Sequence, residues 1–518
     1  MQLVTAAEMR ALDAATIAAG TPGHVLMERA GQGAVRVLLD CFPRLRRKRR
    51  RLLVVAGKGN NGGDGLVIAR LLKAKGLVVE VALLAAPDEV GGDAARNLRA
   101  WQRGRGRILE VRDAAGVAAL AERVERAELI VDAIFGTGLN SPVRGVAADV
   151  IALLNASGVP IFAVDIPSGL DADSGQPLGS CIEAEATATF GFAKLGQVIH
   201  PGVRLCGRLA VVDIGLDADA IAAAPPRAAL LEPANVAPLV PVRERDAHKG
   251  DAGHVLILAG SFGKTGAAQL ATRAAVRSGA GLTTVVAPLS LYPIYAGGVL
   301  EAMTEALPDD GGAIRFAPDR LASLIEGKRA VVIGPGLGTH EGAARTLAWL
   351  LAEARVPLVI DADGLTLAAG QLEALRASQA PTVLTPHPGE MARLLGSDTA
   401  AVQRDRAGCA RRFAAAHGCT LVLKGAHSLI AAADGALWVN PTGNPGMASG
   451  GMGDVLAGIV GALLAQGLEP SEAARLGVYV HGLAADRAAA NGEIGIVASD
   501  LIAGLPSALQ AVREGTDA

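Results

Sequence analysis

The chain has 518 residues, 51% of them hydrophobic and only 3% aromatic, with 65 glycines and a formal net charge of −2. That length exceeds what one core organises, about 100–200 residues per domain, so two or more domains are expected. Near-neutral charge excludes a general polyanion binder, and the shortage of aromatic rings excludes a stacking platform for single-stranded nucleic acid.

Cys41, Cys181, Cys206, Cys409 and Cys419 form no Cys-Xaa-Xaa-Cys pair. With no signal peptide in view, they predict a reduced, cytoplasmic protein. No apolar run reaches the ~18 residues of a spanning helix, so no membrane partner is expected. The histidines lack zinc-ligand spacing.

Residues 5–40 read as helical, broken at Gly20-Thr-Pro-Gly23. The basic run Arg44–Arg51 reads as a solvated connection, since no second basic stripe supports it. Strand-like runs follow at 51–56, 78–84, 129–134, 160–165 and 209–214, separated by helical patterns. Such alternation predicts a mostly parallel sheet with helices on both faces, whose ligands bind beyond the C-terminal strand ends. Those ends are polar and Gly-rich: Gly57–Gly65, Asp132–Gly145, Asp165–Asp171 and Phe190–Gly196. Gly57, Gly59 and Gly62 satisfy the dinucleotide fingerprint, but the acidic residue that normally ends the second strand is missing, because Glu80 lies inside it. A standard nicotinamide dehydrogenase is therefore disfavoured. Asn60, Asn61 and Asp64 exceed what a flexible loop needs. Asp171 could serve only a turn, and Lys194 could be solvated.

The motifs Asn-Asn-Gly-Gly-Asp-Gly65, Gly136-Thr-Gly-Leu139 and Asp165-Ile-Pro-Ser-Gly169 resemble those of the NAD(P)H-hydrate epimerase domain, over about residues 1–216. The resemblance implies a Rossmann-like αβα domain. It implies substrate contacts from Asn60, Asn61, Gly62, Gly63 and Asp64, from Gly136, Thr137, Gly138, Leu139, Asn140, Ser141 and Pro142, and from a catalytic Asp165. It also implies a potassium ion on Asn61, Asp132 and Ser168. The same domain occurs elsewhere as a non-catalytic scaffold.

Residues 217–247 carry five prolines and little periodicity. They divide the chain into a domain at 1–220, a linker at 221–247 and a second α/β domain at 248–518. The second domain's strongest feature is Asn444-Pro-Gly-Met-Ala-Ser-Gly-Gly-Met-Gly-Asp454, followed by an apolar helix. A glycine turn feeding a helix N-terminus gathers amide donors and positive dipole into an anion site. Asp454 at its mouth is placed to take a proton. An ordinary cap would need one Asp and none of these glycines.

This signature resembles the ribokinase-like superfamily. Together with Lys249–Gly260, Ser278–Leu282, Gly334–Gly338, Thr385–Glu390 and Lys424–Ser428 it is similar to the ADP- or ATP-dependent NAD(P)H-hydrate dehydratase, over about residues 235–510. The resemblance implies a three-layer αβα fold with Asp454 as catalytic base. Lys424, Gly425, Ala426, His427, Ser428 and Gly453 would bind the nucleotide. Ala274, Leu337, Gly338, His387 and Asp454 would bind the hydrate, with magnesium present and ADP as co-substrate. Taken together, the two halves imply a bifunctional repair enzyme for hydrated NADH and NADPH, expected to be a cytoplasmic homo-oligomer. The alternative is a hydroxymethylpyrimidine- or sugar-type kinase carrying a non-catalytic first module.

Overall fold

The computed structural model describes residues 1–516. The chain divides into two compact units, one of residues 2–228 and one running from Ala229 onward with Met1. In the first unit the sheet strands are β1 (Arg51–Ala56), β2 (Val78–Leu83), β3 (Ile108–Glu110), β4 (Leu129–Ala133), β5 (Ile161–Val164), β6 (Ala186–Phe190) and β7 (Arg208–Val212). They lie in the order β3-β2-β1-β4-β5-β6-β7, all parallel. Side chains alternate across a strand, so Leu52 and Val54 join the core on one face while Leu53 and Val55 join the core on the other. Both faces are covered by helices, which is why β1 is almost continuously apolar.

After β3 the chain crosses back and lays β4 on the other side of β1. Connections leave the ends of β1 and β4 in opposite directions, and the crevice between them is where open α/β sheets take ligands. Two helices precede the sheet, Ala6–Ala18 and Gly23–Cys41. Thr5 and Glu8 close a reciprocal capping box on the first, which fixes where it starts. The helix Asn60–Ala74 begins at the crevice.

The second unit repeats the plan with β8 (His254–Leu258), β9 (Leu282–Pro288), β10 (Met303–Leu307), β11 (Ala330–Ile333), β12 (Leu358–Ile360), β13 (Thr382–Leu384), β14 (Thr420–Leu423), β15 (Leu429–Ala431) and β16 (Leu437–Val439). Their order is β10-β9-β8-β11-β12-β13-β14-β15-β16, parallel except at β15, which runs against both its neighbours. Here the reversal falls between β8 and β11. The helix Met452–Ala465 is almost wholly buried beneath that point.

The stretch 221–247 is not a free linker. The units divide inside it, at Ala228, and Leu231 and Val236 are buried in the second unit's core. Apolar residues spaced through a Pro/Ala-rich segment find a surface to bury against, which composition alone cannot show. Ala222 to Pro225 are exposed. A chain cut there is expected to yield two fragments that each unfold cooperatively in thermal melts. A fragment without a cooperative transition would show that its unit does not fold alone. Among the described residues, no helix is long and apolar enough to cross a membrane.

Candidate active sites

The first unit's crevice opens into a cavity of about 630 Å³. One part of its lining comes from Met9, Arg10, Asp13 and Ile17, and another from the loops after β1 and β4, including Asn60, Asn61, Asp64, Thr137 and Asn140. Asp165 reaches it from the end of β5. Its backbone takes φ 64°, a left-handed conformation costing about 1–3 kcal/mol unless the surroundings enforce it. They do so here: its amide donates to the Ala188 carbonyl (2.8 Å), and Gln197 Nε2 donates to its carbonyl (2.7 Å).

The Asp165 carboxylate is met by Lys194, whose Nζ lies 2.6 Å from Oδ1 and also donates to Thr189 Oγ1 (2.8 Å) and the Phe190 carbonyl (3.1 Å). Lys194 is only 1% exposed, so the solvated lysine that the sequence allowed is instead buried, with a single ion-pair partner among the described residues. Two further carboxyls share this surrounding. Asp13 is pushed up to about 6 by burial and by Asp165, against the pull of Lys194. Asp64 is raised well above its ordinary value, chiefly by burial and then by the charges of Asp165 and Asp13.

Beside this group lies a set of oxygen donors. Asp132, fully buried at the end of β4, accepts from Ser168 Oγ (2.6 Å), the Ser168 amide (2.8 Å) and the Ile134 amide (3.2 Å). Burial still outweighs these bonds and lifts it to about 6. Asn61 turns its Nδ2 to the Phe135 carbonyl (2.9 Å) and leaves Oδ1 buried with no partner. An orphaned amide oxygen beside an uncompensated carboxylate fits a hard cation.

In the second unit the glycine turn is built as its sequence requires. Gly451 sits at φ +88° and starts the helix Met452–Ala465, whose first turn carries Asp454. Asp454 shares a 480 Å³ cavity with Gly263, Lys264, Gly336, Asp363 and Gly451. Burial, then the negative charge of Asp361, raises Asp454 to about 6 against the opposing Lys424. Lys424 Nζ donates to Asp361 Oδ1 (2.7 Å), which also accepts from Thr385 Oγ1 (2.7 Å). Burial pulls Lys424 down, but Asp361 and Glu390 outweigh it and hold the ammonium above its ordinary value. A Cβ added to Gly453 would meet that ammonium at 3.2 Å, so Lys424 stands against the glycine turn. Asp361 Oδ2 is buried and without a partner. Lys264 Nζ and the Gly338 amide both donate to Asp363 Oδ2 at 2.9 Å, which ties the loops after β8, β11 and β12 together.

Residues 23–196 match the family described as YjeF-related protein N-terminus, and residues 255–507 match the family described as NAD(P)H-hydrate dehydratase. The bifunctional NAD(P)H-hydrate repair enzyme Nnr of Moorella thermoacetica is 43% identical over 518 residues, covering 99% of this chain and 98% of that one. The chain belongs to the bifunctional NAD(P)H-hydrate repair enzyme family. The Escherichia coli K12 relative of the same name is 39% identical over 93% of this chain and 88% of its own. Among solved structures, the ADP/ATP-dependent NAD(P)H-hydrate dehydratase of Bacillus subtilis, co-crystallised with ATP and magnesium, is 32% identical. It covers 55% of this chain and 98% of its own, with a TM-score of 0.48. The kinase alternative has no better support than this family.

Against the residues expected for such an enzyme, the structure is selective. Asn60, Asn61, Asp64, Gly136, Thr137, Gly138, Leu139, Asn140 and Asp165 line the first cavity, while Ser141 and Pro142 lie outside its lining. Gly62 and Gly63 are buried packing positions: a Cβ on Gly62 would overlap the Gly57 carbonyl, and one on Gly63 would meet Met27 and Ala94. Ala274 is fully buried in the second unit's core, and the cavity lining supplied by its helix, Thr265–Arg277, is Gly266, Ala267 and Leu270. Leu337 is also buried, so it can offer a ligand only backbone. His387 caps the helix Pro388–Leu394, its Nδ1 accepting from the Gly389 amide (3.0 Å) and the Glu390 amide (3.2 Å). Gly425, Ala426, His427 and Ser428 follow β14, with His427 at φ 53°. Buried Arg406 donates to the Ala426 carbonyl at 2.8 Å and so fixes that loop. Sequence reading missed Asp13, Lys264, Asp361, Asp363 and Arg406. Only Asp361 and Asp363 carried a usable signal, an Asp-Ala-Asp triplet directly after a strand.

Proposed function

We propose that this chain repairs hydrated NADH and NADPH in two steps, exchanging the R and S epimers in the first unit and dehydrating the S form in the second at the expense of ADP, giving AMP and phosphate. The observation that carries the reading is that two separately built strand-end sites sit on one chain whose relatives share this name over nearly its whole length. In the first cavity Asp165, positioned by Lys194 and Gln197, exchanges a proton with the substrate near the hydroxyl-bearing carbon. In the second, Asp454 removes the proton of that hydroxyl. The amides of Gly450–Gly453, with Lys424 beside them, stabilise the phosphoryl group in transfer. The phosphorylated oxygen then leaves as phosphate. Lys424–Ser428 hold the adenine nucleotide, and Gly338 and His387 face the hydrate.

Potassium fits the donor set of Asn61 Oδ1, Asp132 and Ser168. When bound there it would supply the positive charge that Asp132 lacks. Magnesium fits the unpartnered Asp361 Oδ2 with Glu390, and when bound would neutralise phosphate oxygens. Five free cysteines agree with a cytoplasmic location. The exposed Leu289, Ile294 and Leu300, close in sequence to the edge strand β10, give a homo-oligomer a surface to cover.

The decisive experiment gives the full chain both epimers with ADP and follows the absorbance of reduced nicotinamide. The expected result is complete recovery of the cofactor together with free phosphate. A stable phosphorylated product with no return of absorbance would establish a kinase instead. The cation has its own test. Potassium is expected to raise the melting temperature of the first unit in the wild type and not in Asp132→Asn, whose epimer exchange should also lose its potassium dependence. An equal shift in both proteins would place the ion elsewhere.

A further inference from the structure

Exchange of configuration at a hydroxyl-bearing carbon needs a proton delivered as well as a proton removed, and Asp165 is one group. We propose that Asp13 is the proton donor that works with Asp165 in epimer exchange. The inference rests on the reading of the first cavity given above and asks which second group serves it.

The helix Ala6–Ala18 buries Met9, Leu12 and Thr16. Its positions 9, 10, 13 and 17, three and four residues apart, fall on one side and line the cavity. Asp13 is half-buried there and makes neither a hydrogen bond nor an ion pair among the described residues, so its carboxyl is free to meet a ligand. The other charged groups facing the cavity are Arg10, Lys58, Asp64, Asp93, Asp165 and Lys194. Lys194 is committed to Asp165 at 2.6 Å. The remaining carboxyls therefore lack a buried cation of their own, and a proton held on one of them relieves the repulsion. Burial, together with the Asp165 charge and against Lys194, brings Asp13 to about 6, close enough to neutrality to give up its proton and regain it. Asp64, past the first turn of Asn60–Ala74, is more deeply buried and is raised well above its ordinary value, chiefly by that burial. Environments that push neighbouring carboxyls apart in acidity mark out acid and base roles.

The chemistry balances without a further reagent. Hydration of the enamine double bond places the hydroxyl on the carbon beside the ring nitrogen. Asp13 donates its proton to that hydroxyl, the carbon–oxygen bond breaks, and the nitrogen lone pair forms a carbon–nitrogen double bond as water leaves. Water then adds to the opposite face and Asp165 takes its extra proton. Return of that proton from Asp165 to Asp13 resets the pair, and the reverse exchange uses the two in swapped roles.

The test uses full-length protein with purified single epimers, following exchange by chromatography. Asp13→Asn is expected to slow exchange by about 10²-fold or more with little change in KM, because size and packing are retained. Wild-type exchange should fall as pH rises through about 6, where the donor empties, and this limb should vanish in Asp13→Asn. Asp13→Glu should recover part of the rate. ADP-driven dehydration of the S epimer should be unchanged in all three proteins. Exchange at the wild-type rate in Asp13→Asn, or the same pH limb there as in the wild type, overturns the role of Asp13. So does Asp13→Glu being as slow as Asp13→Asn at an unchanged melting temperature. A wild-type protein that exchanges no epimers overturns the reading beneath it, which is a separate failure.

Discussion

Asp454→Asn is expected to slow ADP-driven dehydration by about 10²–10⁴-fold while nucleotide binding persists. The amide keeps the size of the side chain and the start of the helix Met452–Ala465, so the glycine turn should be undisturbed. What is lost is the only group in that first turn able to accept a proton from the substrate hydroxyl. The pH profile separates this from a structural effect. Asp454 is held near 6 by burial and by Asp361, and a base works only when deprotonated. Wild-type dehydration should therefore rise with pH through about 6 and then level. The residual rate of Asp454→Asn should lack that rise. Steady-state rates across pH 5–8, with calorimetric nucleotide titration beside them, check both points. Activity within a few-fold of the wild type would remove Asp454 from the role of base.

How much of this was legible in the sequence follows from where each signal lies. The strand β1 is a Leu/Val run with a glycine loop after it, and both the element and its ligand end can be read directly. By contrast β6 is Ala-Thr-Ala-Thr-Phe, whose small residues carry little strand pattern yet are fully buried between β5 and β7. Loop positions with chemistry in their own motif, such as Asn61, Asp132 and Asp454, stood out because glycine, amide and carboxylate in one short stretch have few other uses. Asp13 was invisible for the opposite reason. It lies on an ordinary amphipathic helix, and only folding brings that helix to the loops after β1 and β4. Lys194 was visible within a Gly-rich strand end, but its burial could not be read there, since it depends on Asp165, 29 residues away. The burial of Ala274 had no sequence signal, because an alanine in a helix gives no sign of which face it occupies. Left-handed backbone at Asp165, Ala362 and His427, each in a loop following a sheet strand, also had no sequence signal. Such conformations in residues other than glycine persist where surrounding bonds enforce them.

Asp165→Asn is expected to abolish epimer exchange to within the uncatalysed background, and also to lower the melting temperature of the first unit. The second effect comes from Lys194, which is 1% exposed and, among the described residues, forms an ion pair with Asp165 alone. Removing one member of a buried pair costs about 3–5 kcal/mol when the other stays charged. The cost here should be smaller, because Thr189 Oγ1 and the Phe190 carbonyl remain as partners of the ammonium. A domain with a stability of about 5–15 kcal/mol survives that loss. Lost exchange could then be blamed on a loosened cavity, and the double variant Asp165→Asn/Lys194→Met removes this ambiguity. It takes away the uncompensated charge and should recover most of the melting temperature, yet exchange should stay abolished because no proton acceptor has returned. Dehydration of the S epimer should be unaffected in both variants, since Asp454 and its glycine turn belong to the other sheet. Melting temperature and chromatographic epimer exchange measured on the same samples decide the matter. Recovery of exchange along with stability in the double variant would make Asp165 a structural partner of Lys194 and nothing more.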